Sequence, residues 1–161
     1  MPQNPLLSDW TTPFELPPFA DIKPDHFTEA FEKAMAEGRA EVDAIADQQT
    51  EPTFENTIVA LERAGEFLDR AASIFWNLSG ANTNDTLQAL ERKLSPQMSR
   101  HSSAIMMNGA LFARIDQLYQ ARAELDLDAE ADRVLELTWK SFVRSGARLG
   151  PDEQARLAEI N

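Results

Sequence analysis

Apolar residues recur at one-turn spacing along most of the chain, and this spacing constrains the fold more than any other feature of the sequence. Between residues 24 and 47 a single stripe contains Phe27, Phe31, Met35, Gly38, Val42 and Ile45. Side chains three or four positions apart share one face of an α-helix, so the stripe predicts a helix with one buried face. No stretch alternates apolar and polar residues for long enough to predict a β-strand. The pattern therefore predicts an all-α fold.

The second predicted helix begins in "TFENTIVALERAG" at residues 53–65, where Thr53 can cap the first turn and Glu55 lies near the positive end of the helix dipole. Its stripe continues through Gly65 and Phe75 to Leu78. The short connector "DQQTEP" predicts that this helix and the first are antiparallel neighbours. Glycine lowers helix propensity by about 1 kcal/mol relative to alanine. We therefore expect a close crossing of the two backbones at Gly38 and Gly65.

Four further helices follow, giving a bundle of about six. The third is interrupted by Pro96, which predicts a kink or break near residues 94–95. Asn108-Gly109 marks a turn before the fourth, Gly150 is expected to cap the end of the fifth, and Pro151 opens the sixth. The apolar stripe of the third helix contains Leu87, Leu90, Leu94, His101 and Ile105, and that of the fourth contains Phe112, Ile115, Leu118 and Tyr119. The stripe of the fifth contains Ala131, Leu135, Thr138, Phe142 and Leu149, and that of the sixth begins with Leu157 and Ile160.

Residues 1–23 differ from the rest, because they hold five of the nine prolines. Proline fixes φ and removes a backbone donor, so these residues predict an extended arm whose aromatic side chains dock on a larger body. We expect two regions, the arm at 1–23 and a helical lobe at 24–161. The chain starts at Met1 and ends inside its last helix, so we expect it to be the truncated N-terminal part of a longer protein.

The charge of the chain excludes several classes of partner. Its 15 basic and 27 acidic side chains give a formal net charge of −12. Residues 1–80 alone contain 15 acids and five bases, a formal charge of −10. Such a chain repels nucleic-acid phosphates and anionic lipid, so we expect neither nucleic acid nor membrane as a partner. The acidic half is interpreted as a solvated helix surface, or alternatively as a wall that attracts cationic ligands.

The sequence contains no recognisable catalytic or metal-binding motif. With zero cysteines it has neither disulfides nor a thiolate metal site, and with no secretory signal visible we expect a cytoplasmic location. His26 and His101 are far apart and do not form the HExxH pair of zinc hydrolases. We expect His26 to be a partly exposed first-turn residue, the alternative being a surface metal site with Asp25 and Glu29. We expect His101 to be a hydrogen-bonded core residue. Carboxylate pairs such as Glu37 and Glu41 arise by chance in so acidic a chain.

The tryptophans do not indicate nucleic-acid binding, because no basic residues are interleaved with them. We interpret Trp76 and Trp139 as core anchors. The residues therefore predict no catalytic, cofactor-binding or metal-binding residue in the chain.

The order of several phrases nevertheless resembles one enzyme family. "LPPFADIKPDHFTEAFEKAM" at 16–35, "PTFENTIVALERAGEFLDR" at 52–70, "FWNLSGANTNDTLQALERKLSP" at 75–96, "NGALFARID" at 108–116 and "FVRSGARLGPDEQARLAEIN" at 142–161 are similar, in the same order, to the thimet oligopeptidase-like zinc metallopeptidases. "ANTND" and "NGALFARID" resemble the bacterial dipeptidyl carboxypeptidase branch first and the oligopeptidase A branch next.

The resemblance implies that the chain is the N-terminal part of a long helical enzyme that cleaves short peptides in a channel between two lobes. The zinc ligands of that family lie on an HExxH helix in the C-terminal half, so zinc belongs to the parent protein and none of its ligands falls in residues 1–161. The expected partners are the C-terminal catalytic lobe and short peptide substrates. Two alternatives remain open: a non-enzymatic helical adaptor that binds a partner helix, and a freestanding regulatory subunit derived from such a lobe.

Overall fold

The computed structural model describes residues 4–160, except for the side chains of Pro151 and Ala158. These residues form α-helices and short helical turns and contain no β-strand, which confirms the all-α prediction. The α-helices are α1 (Pro24–Ala46), α2 (Ala60–Arg63), α3 (Glu66–Ala81), α4 (Asp85–Met106), α5 (Gly109–Ala121), α6 (Ala129–Arg144) and α7 (Pro151–Ile160). A π-helical turn, Phe54–Val59, leads directly into α2. None of the helices described here is long and apolar enough to cross a membrane.

The chain divides into two compact units, and the divisions fall inside α1 and α4 and between α2 and α3. The first unit comprises the residues up to Gly38 together with Gly65–Met98. At its centre Phe27 and Phe31 from α1 meet Phe75 from α3 edge to face, with ring centroids 5.1 and 5.7 Å from that of Phe75. Such aromatic contacts add stabilisation beyond the area they bury. Leu87 and Leu94 from α4 complete this core.

The second unit comprises Arg39–Ala64 and the residues from Ser99 onward. Its core joins the remaining part of the α1 stripe to the π-helical turn, α5 and α6. The buried apolar residues of this core are Val42, Ile45, Ile58, Leu111, Phe112, Ile115, Leu118, Leu135 and Phe142. Every predicted stripe residue of α1 is buried, and the stripes of α5 and α6 supply most of the rest. The helical periodicity therefore identified the core-facing positions of α1 and most of those of α5 and α6, whereas Ile160, on the stripe predicted for the last helix, is exposed.

The second predicted helix is wrong in one respect, because it is broken at residues 64–65. Gly65 has a φ of +85°, a left-handed conformation that no helix interior contains. A Cβ atom at Gly65 would meet no atom within 4 Å, so this glycine does not serve the close backbone crossing expected from the sequence. Its role is conformational, because it allows the chain to end α2 and begin α3 in a new direction. The break also explains why the described residues form seven α-helices where about six are predicted.

Helix α4 does not break at Pro96, contrary to one of the two outcomes predicted for it. The helix runs without interruption from Asp85 to Met106. Proline removes one backbone hydrogen bond, and the side chain of Pro96 lies on the exposed face, where water can reach the carbonyl that loses its donor. The hydroxyl of neighbouring Ser95 donates to the carbonyl of Glu91 at 2.8 Å.

Helix α6 ends earlier than predicted, and Gly146 rather than Gly150 terminates it. Gly146 has a φ of +93°, its amide donates to the Val143 carbonyl at 3.2 Å, and the next amide, of Ala147, donates to the Phe142 carbonyl at 3.0 Å. This pair of bonds defines a Schellman C-terminus. Leu149 therefore lies beyond the helix and is exposed rather than part of its stripe. Helix α7 starts at Pro151 as predicted.

The described part of the arm, residues 4–23, contains two short 3₁₀ turns at Pro5–Leu7 and Pro13–Glu15 and is otherwise not helical. Leu6 is fully buried, and Trp10 and Ile22 pack against the core of the first unit, so these side chains dock as expected. Phe14, Leu16 and Phe19 do not, since all three are exposed. The expectations attached to Met1 and to the final residue of the chain lie outside the described residues.

Candidate functional site

His26 has a structural role at the start of α1. Its Nδ1 atom accepts a hydrogen bond from the amide of Lys23 at 3.0 Å, and the amide of His26 donates to the Lys23 carbonyl. The side chain therefore satisfies one of the amides left free at a helix N-terminus. The neighbouring carboxylate of Glu29 accepts a hydrogen bond from the buried side chain of Asn4 at 3.0 Å. The partly exposed first-turn histidine predicted from the sequence is confirmed.

His101 is buried in the second unit, as predicted, but the expected hydrogen bonding is wrong for its Nδ1 atom. That atom is enclosed and has no partner among the described residues. Burial lowers the pKa of the imidazole below its ordinary value of 6.5, and the positive charge of Arg39 lowers it further. Both effects disfavour the charged form, so His101 is an uncharged core residue at neutral pH.

The residues that the structure describes contain no group of three His, Asp or Glu side chains placed to hold a metal ion. They therefore do not form a site for the zinc ion that the family resemblance implies. Glu37 and Glu41 both lie on the exposed face of α1, and the Glu37 carboxylate is 3.7 Å from the ammonium of Lys33. Neither glutamate is enclosed in a pocket of the kind that tunes a carboxylate for acid–base work.

The most developed polar cluster surrounds Arg114, a buried arginine on α5. Its guanidinium donates to the carbonyls of Gln48 and Thr50 at 3.1 and 3.0 Å and to the side-chain oxygen of Asn56 at 3.0 Å. Asn56 in turn completes the capping box of the π-helical turn with Thr53. One guanidinium thus holds both ends of the connector between α1 and this turn. The acceptors are neutral, so the cluster is a structural clamp rather than an ion pair.

Sequence reasoning missed this clamp, although the sequence carried a signal for it. Arg114 lies directly before Ile115 and three residues after Leu111, which places it on the core-facing side of α5. An arginine at such a position is rarely buried without partners. The partners themselves lie 58 to 66 residues away along the chain. They could not be identified without the fold.

A second cluster on α5 and α6 stacks aromatic rings between arginines. The rings of Tyr119 and Trp139 lie parallel with centroids 4.0 Å apart. Arg122 covers the outer face of this pair at 4.2 Å from the tyrosine ring, and Arg148 lies 4.8 Å from the tryptophan ring. The indole Nε1 of Trp139 donates to the carboxylate of Asp116 at 2.7 Å. Trp139 packs against the core of the second unit, which confirms its interpretation as an anchor.

Asp116 is the ionisable group at the centre of this cluster. Burial raises the pKa of its carboxyl, but the hydrogen bonds from Trp139, Gln120 and Arg148 outweigh that effect and leave the pKa below its ordinary value. A carboxylate held in its charged form by three donors is a structural hydrogen-bond acceptor and a poor general base.

Trp76 differs from Trp139, because its interpretation as a core anchor is wrong. It is 38% exposed, and its ring meets that of Phe75 edge to face with centroids 4.9 Å apart. Successive positions on a helix face in different directions, so the burial of Phe75 on α3 turns the neighbouring indole towards solvent. Trp10 from the arm is better enclosed. Its Nε1 atom donates to the Pro5 carbonyl at 2.9 Å, and the guanidinium of Arg70 covers its ring at 4.9 Å.

The second unit also contains an open cavity of about 440 Å³ between α4, α6 and α7. It is lined by Ser99, Ser102, Ser103, Met106, Met107, Arg144, Ser145 and Leu157. A serine becomes a nucleophile only beside a base, and this lining includes neither a histidine nor a carboxylate. A cleft of about 640 Å³ in the first unit has Glu91 and Arg92 in its wall but no histidine. In this cleft the hydroxyl of Ser79 donates to the Glu91 carboxylate at 2.8 Å. Among the described residues the two linings therefore contain one serine–carboxylate contact but not the serine–histidine pair of a catalytic triad.

Comparison with known proteins identifies homologues along nearly the whole chain. The chain is 40% identical to dipeptidyl carboxypeptidase of Escherichia coli K12 over 158 residues, which is 98% of this chain and 23% of the relative. It is 38% identical over its full length to dipeptidyl carboxypeptidase of Salmonella typhimurium, of which it covers 24%. Oligopeptidase A of Escherichia coli is 28% identical over 157 residues, with 22% of that protein covered. No family model matches the chain.

These comparisons confirm the resemblance drawn from the sequence phrases, including its order, with the dipeptidyl carboxypeptidases more similar than oligopeptidase A. The chain spans about a quarter of the length of the relatives it matches.

Proposed function

We propose that this chain, a homologue of dipeptidyl carboxypeptidase and oligopeptidase A, is the helical N-terminal part of a zinc-dependent peptidase that cleaves short peptides. The observation that carries the proposal is the 40% identity to a dipeptidyl carboxypeptidase over 98% of the chain. The arm at residues 1–23 and the helical lobe at 24–161 form one region of the longer cytoplasmic polypeptide. The partners of this region are the catalytic lobe that follows it in the same polypeptide and the peptide substrates.

In this proposal the chain contributes shape and charge, while the catalytic residues and zinc ligands belong to the remaining polypeptide. The lobe forms part of the wall of the substrate channel, which limits access to short, unfolded peptides and restricts water at the reacting bond. The described clusters support this role, since the polar groups of the Arg114 clamp and the Asp116 cluster are used in holding elements together. The exposed acidic face of α1 can attract peptides with cationic side chains.

The test compares the full-length polypeptide with residues 1–161 alone. Both are incubated with short peptides that have free C-termini, and released dipeptides are identified by mass spectrometry. We expect the full polypeptide to release dipeptides, to lose this activity on chelation of zinc and to regain it when zinc is restored. We expect residues 1–161 to release none and to bind no stoichiometric zinc. An inactive, zinc-free full polypeptide would contradict the proposal and favour a non-enzymatic adaptor.

A further inference from the structure

The loop between Trp10 and Ile22 exposes three apolar side chains that the described structure leaves uncovered. Phe14 is 95% exposed, Leu16 57% and Phe19 48%. Single exposed apolar residues are common on protein surfaces, but here three within six positions concentrate exposed apolar surface in one short segment. We refer to residues 13–19 as the apolar ridge.

Both ends of the loop that carries the ridge are fixed to the first unit. On one side Leu6 is buried, and Trp10 is held by its hydrogen bond to Pro5 and by the guanidinium of Arg70. On the other side Ile22 packs against the core, immediately before α1 begins. The ridge is therefore presented from two anchored points and is not a free chain end.

The backbone of the ridge adopts a conformation that is unfavourable for the residues in it. Phe14 and Glu15 have φ angles of 58° and 54°, in the left-handed region. For residues other than glycine this region costs about 1–2 kcal/mol per residue. The turn is held by a hydrogen bond from the Glu15 amide to the Thr12 carbonyl at 3.0 Å and by one from the Thr12 hydroxyl to the Leu16 carbonyl. This strained turn places the ring of Phe14 in solvent. We infer that the ring has a partner elsewhere, because strained backbone is commonly found at binding sites.

Prolines at 13, 17 and 18 reduce the freedom of the ridge before it binds anything. A segment that is already ordered loses less entropy when it docks. The charges beside the ridge define the partner further. Asp9, Glu15 and Asp21 are all exposed, Lys23 is the one base between residues 9 and 23, and the guanidinium of Arg70 lies over the ring of Trp10. Complementarity therefore favours an apolar groove whose rim is basic.

The size of the ridge identifies which kind of partner can hold it. Each aromatic side chain buries about 150–250 Å² at most, so the three side chains together supply roughly 400–600 Å². A stable interface between separate proteins needs about 800 Å² from each partner. A second copy of the chain would therefore dissociate from the ridge, whereas a covalently linked segment is held at a high effective concentration. The chain covers only 23% and 24% of the two dipeptidyl carboxypeptidases, so the unmatched part of each relative is about three times as long as the matched part. A corresponding segment in this polypeptide would supply the linked partner.

We propose that the apolar ridge docks into a basic-rimmed apolar groove on the remaining part of the same polypeptide and fixes the N-terminal region against it. This proposal rests on one part of the proposed function, namely that the chain belongs to a longer polypeptide. The ridge would then serve as an intramolecular latch, and Phe14 would be its central side chain.

The experiment uses the full-length polypeptide and the double variant Phe14→Gln with Phe19→Gln. Leu137→Gln is the matched control, because Leu137 is a 50% exposed apolar residue on α6, outside the ridge. Hydrogen exchange of residues 13–21 is followed by mass spectrometry, together with dipeptide release and the elution volume of the protein. We expect the wild type and the control to exchange at least about tenfold more slowly in this segment than the double variant.

Each outcome separates the latch from the proposed function. Rapid exchange of the segment in a wild-type polypeptide that releases dipeptides would overturn the latch and leave the peptidase intact. Slow exchange that depends on protein concentration, with elution as a dimer, would also overturn it in favour of a second copy. Slow exchange in a monomer that releases no dipeptides would support the docking contact and contradict the proposed function.

Discussion

Replacing Arg114 by methionine should destabilise the second unit substantially, because this side chain joins α5 to residues at both ends of the segment 48–56. Methionine retains most of the aliphatic length of arginine but has no hydrogen-bond donor. The substitution removes three bonds of 3.0–3.1 Å, to Gln48, Thr50 and Asn56, and a longer one of 3.4 Å to the side chain of Gln48. It leaves the backbone carbonyls of Gln48 and Thr50 without this donor in a partly buried environment.

The expected magnitude follows from those contacts. A hydrogen bond to a charged group contributes about 1.5–3 kcal/mol, so three bonds would give at least about 4 kcal/mol if they were additive. Burial of a guanidinium without a carboxylate partner itself costs several kcal/mol, and methionine removes that penalty. We therefore expect a net loss of about 2–4 kcal/mol in the free energy of unfolding. For a chain of this size the loss corresponds to a decrease in Tm of roughly 4–16 °C.

The assay is urea unfolding monitored by circular dichroism, with Arg100→Met as the control for loss of the same charge from an exposed position on α4. Arg114→Lys should recover only part of the loss, because a single ammonium cannot reach acceptors spread around a planar guanidinium. A double-mutant cycle with Asn56→Ala isolates one contact. A coupling energy within about 0.5 kcal/mol of zero, with Arg114→Met as stable as the control, would refute the clamp.

Three further predictions concern single positions. Gly146→Ala should lower the free energy of unfolding, measured by thermal denaturation, by about 1–2 kcal/mol, because φ is +93° and the new Cβ would lie 2.7 Å from Leu157 Cδ2. Gly65→Ala is the control: its φ is similar but the space around it is open, so it should lose only the conformational part, and an equal loss would contradict the steric argument. The lowered pKa of His101 means that the unfolded chain takes up a proton first as pH falls below 6.5, so the contribution of this uncharged histidine to stability is complete above that pH and is lost from there down to the pKa of the folded form. Over this range the urea midpoint of the wild type should fall relative to that of His101→Phe, and parallel profiles would contradict the assignment. Pro96→Ala should increase the free energy of unfolding by about 1–2 kcal/mol and therefore raise Tm, because it restores one hydrogen bond in a continuous helix at an exposed position. An unchanged Tm would show that the bond is not regained.

The helices were largely predictable because their signals are local. The buried stripe of α1, the cap at Thr53 and the turn at Asn108 are each encoded within a few residues of the element they define. Such signals survive folding because burial of an apolar face and satisfaction of the first amides are required in almost any helical protein.

The break at residues 64–65 was not predictable from periodicity, and the reason lies in where each segment packs. Ile58 belongs to the core of the second unit and Phe75 to the core of the first, although both lie on what reads as one continuous stripe. Periodicity reports that a face is buried and not which core buries it. Gly65 was interpreted as a member of that stripe, whereas its positive φ is what ends one segment and starts the next.

The polar clusters were missed for a different reason. Arg114 and its acceptors at residues 48–56 are far apart in sequence, as are Trp139 and Asp116. Hydrogen bonds between distant positions leave no regular spacing in a single sequence, and only the presence of a charged residue on a core-facing position hints at them. The functional assignment, by contrast, came from phrases shared with a family and could not be obtained from the fold, since an all-α bundle serves many functions.

If the N-terminal region forms part of a channel wall, substitutions on its acidic face should affect long peptides more than short ones. Glu37 and Glu41 are exposed on α1, so replacing both by lysine changes the local charge by four units with little effect on packing. We expect KM for cationic peptides to rise at low salt, by at least about twofold, and the increase to grow with peptide length, since a longer peptide contacts more of the wall. Glu124→Lys with Glu130→Lys makes the same change in net charge at exposed positions around the start of α6 and serves as the control. The measurement is steady-state KM of each full-length variant for a series of cationic peptides of increasing length. Equal KM values for both at low salt, at every length, would mean that the acids of α1 act only as a solvated surface.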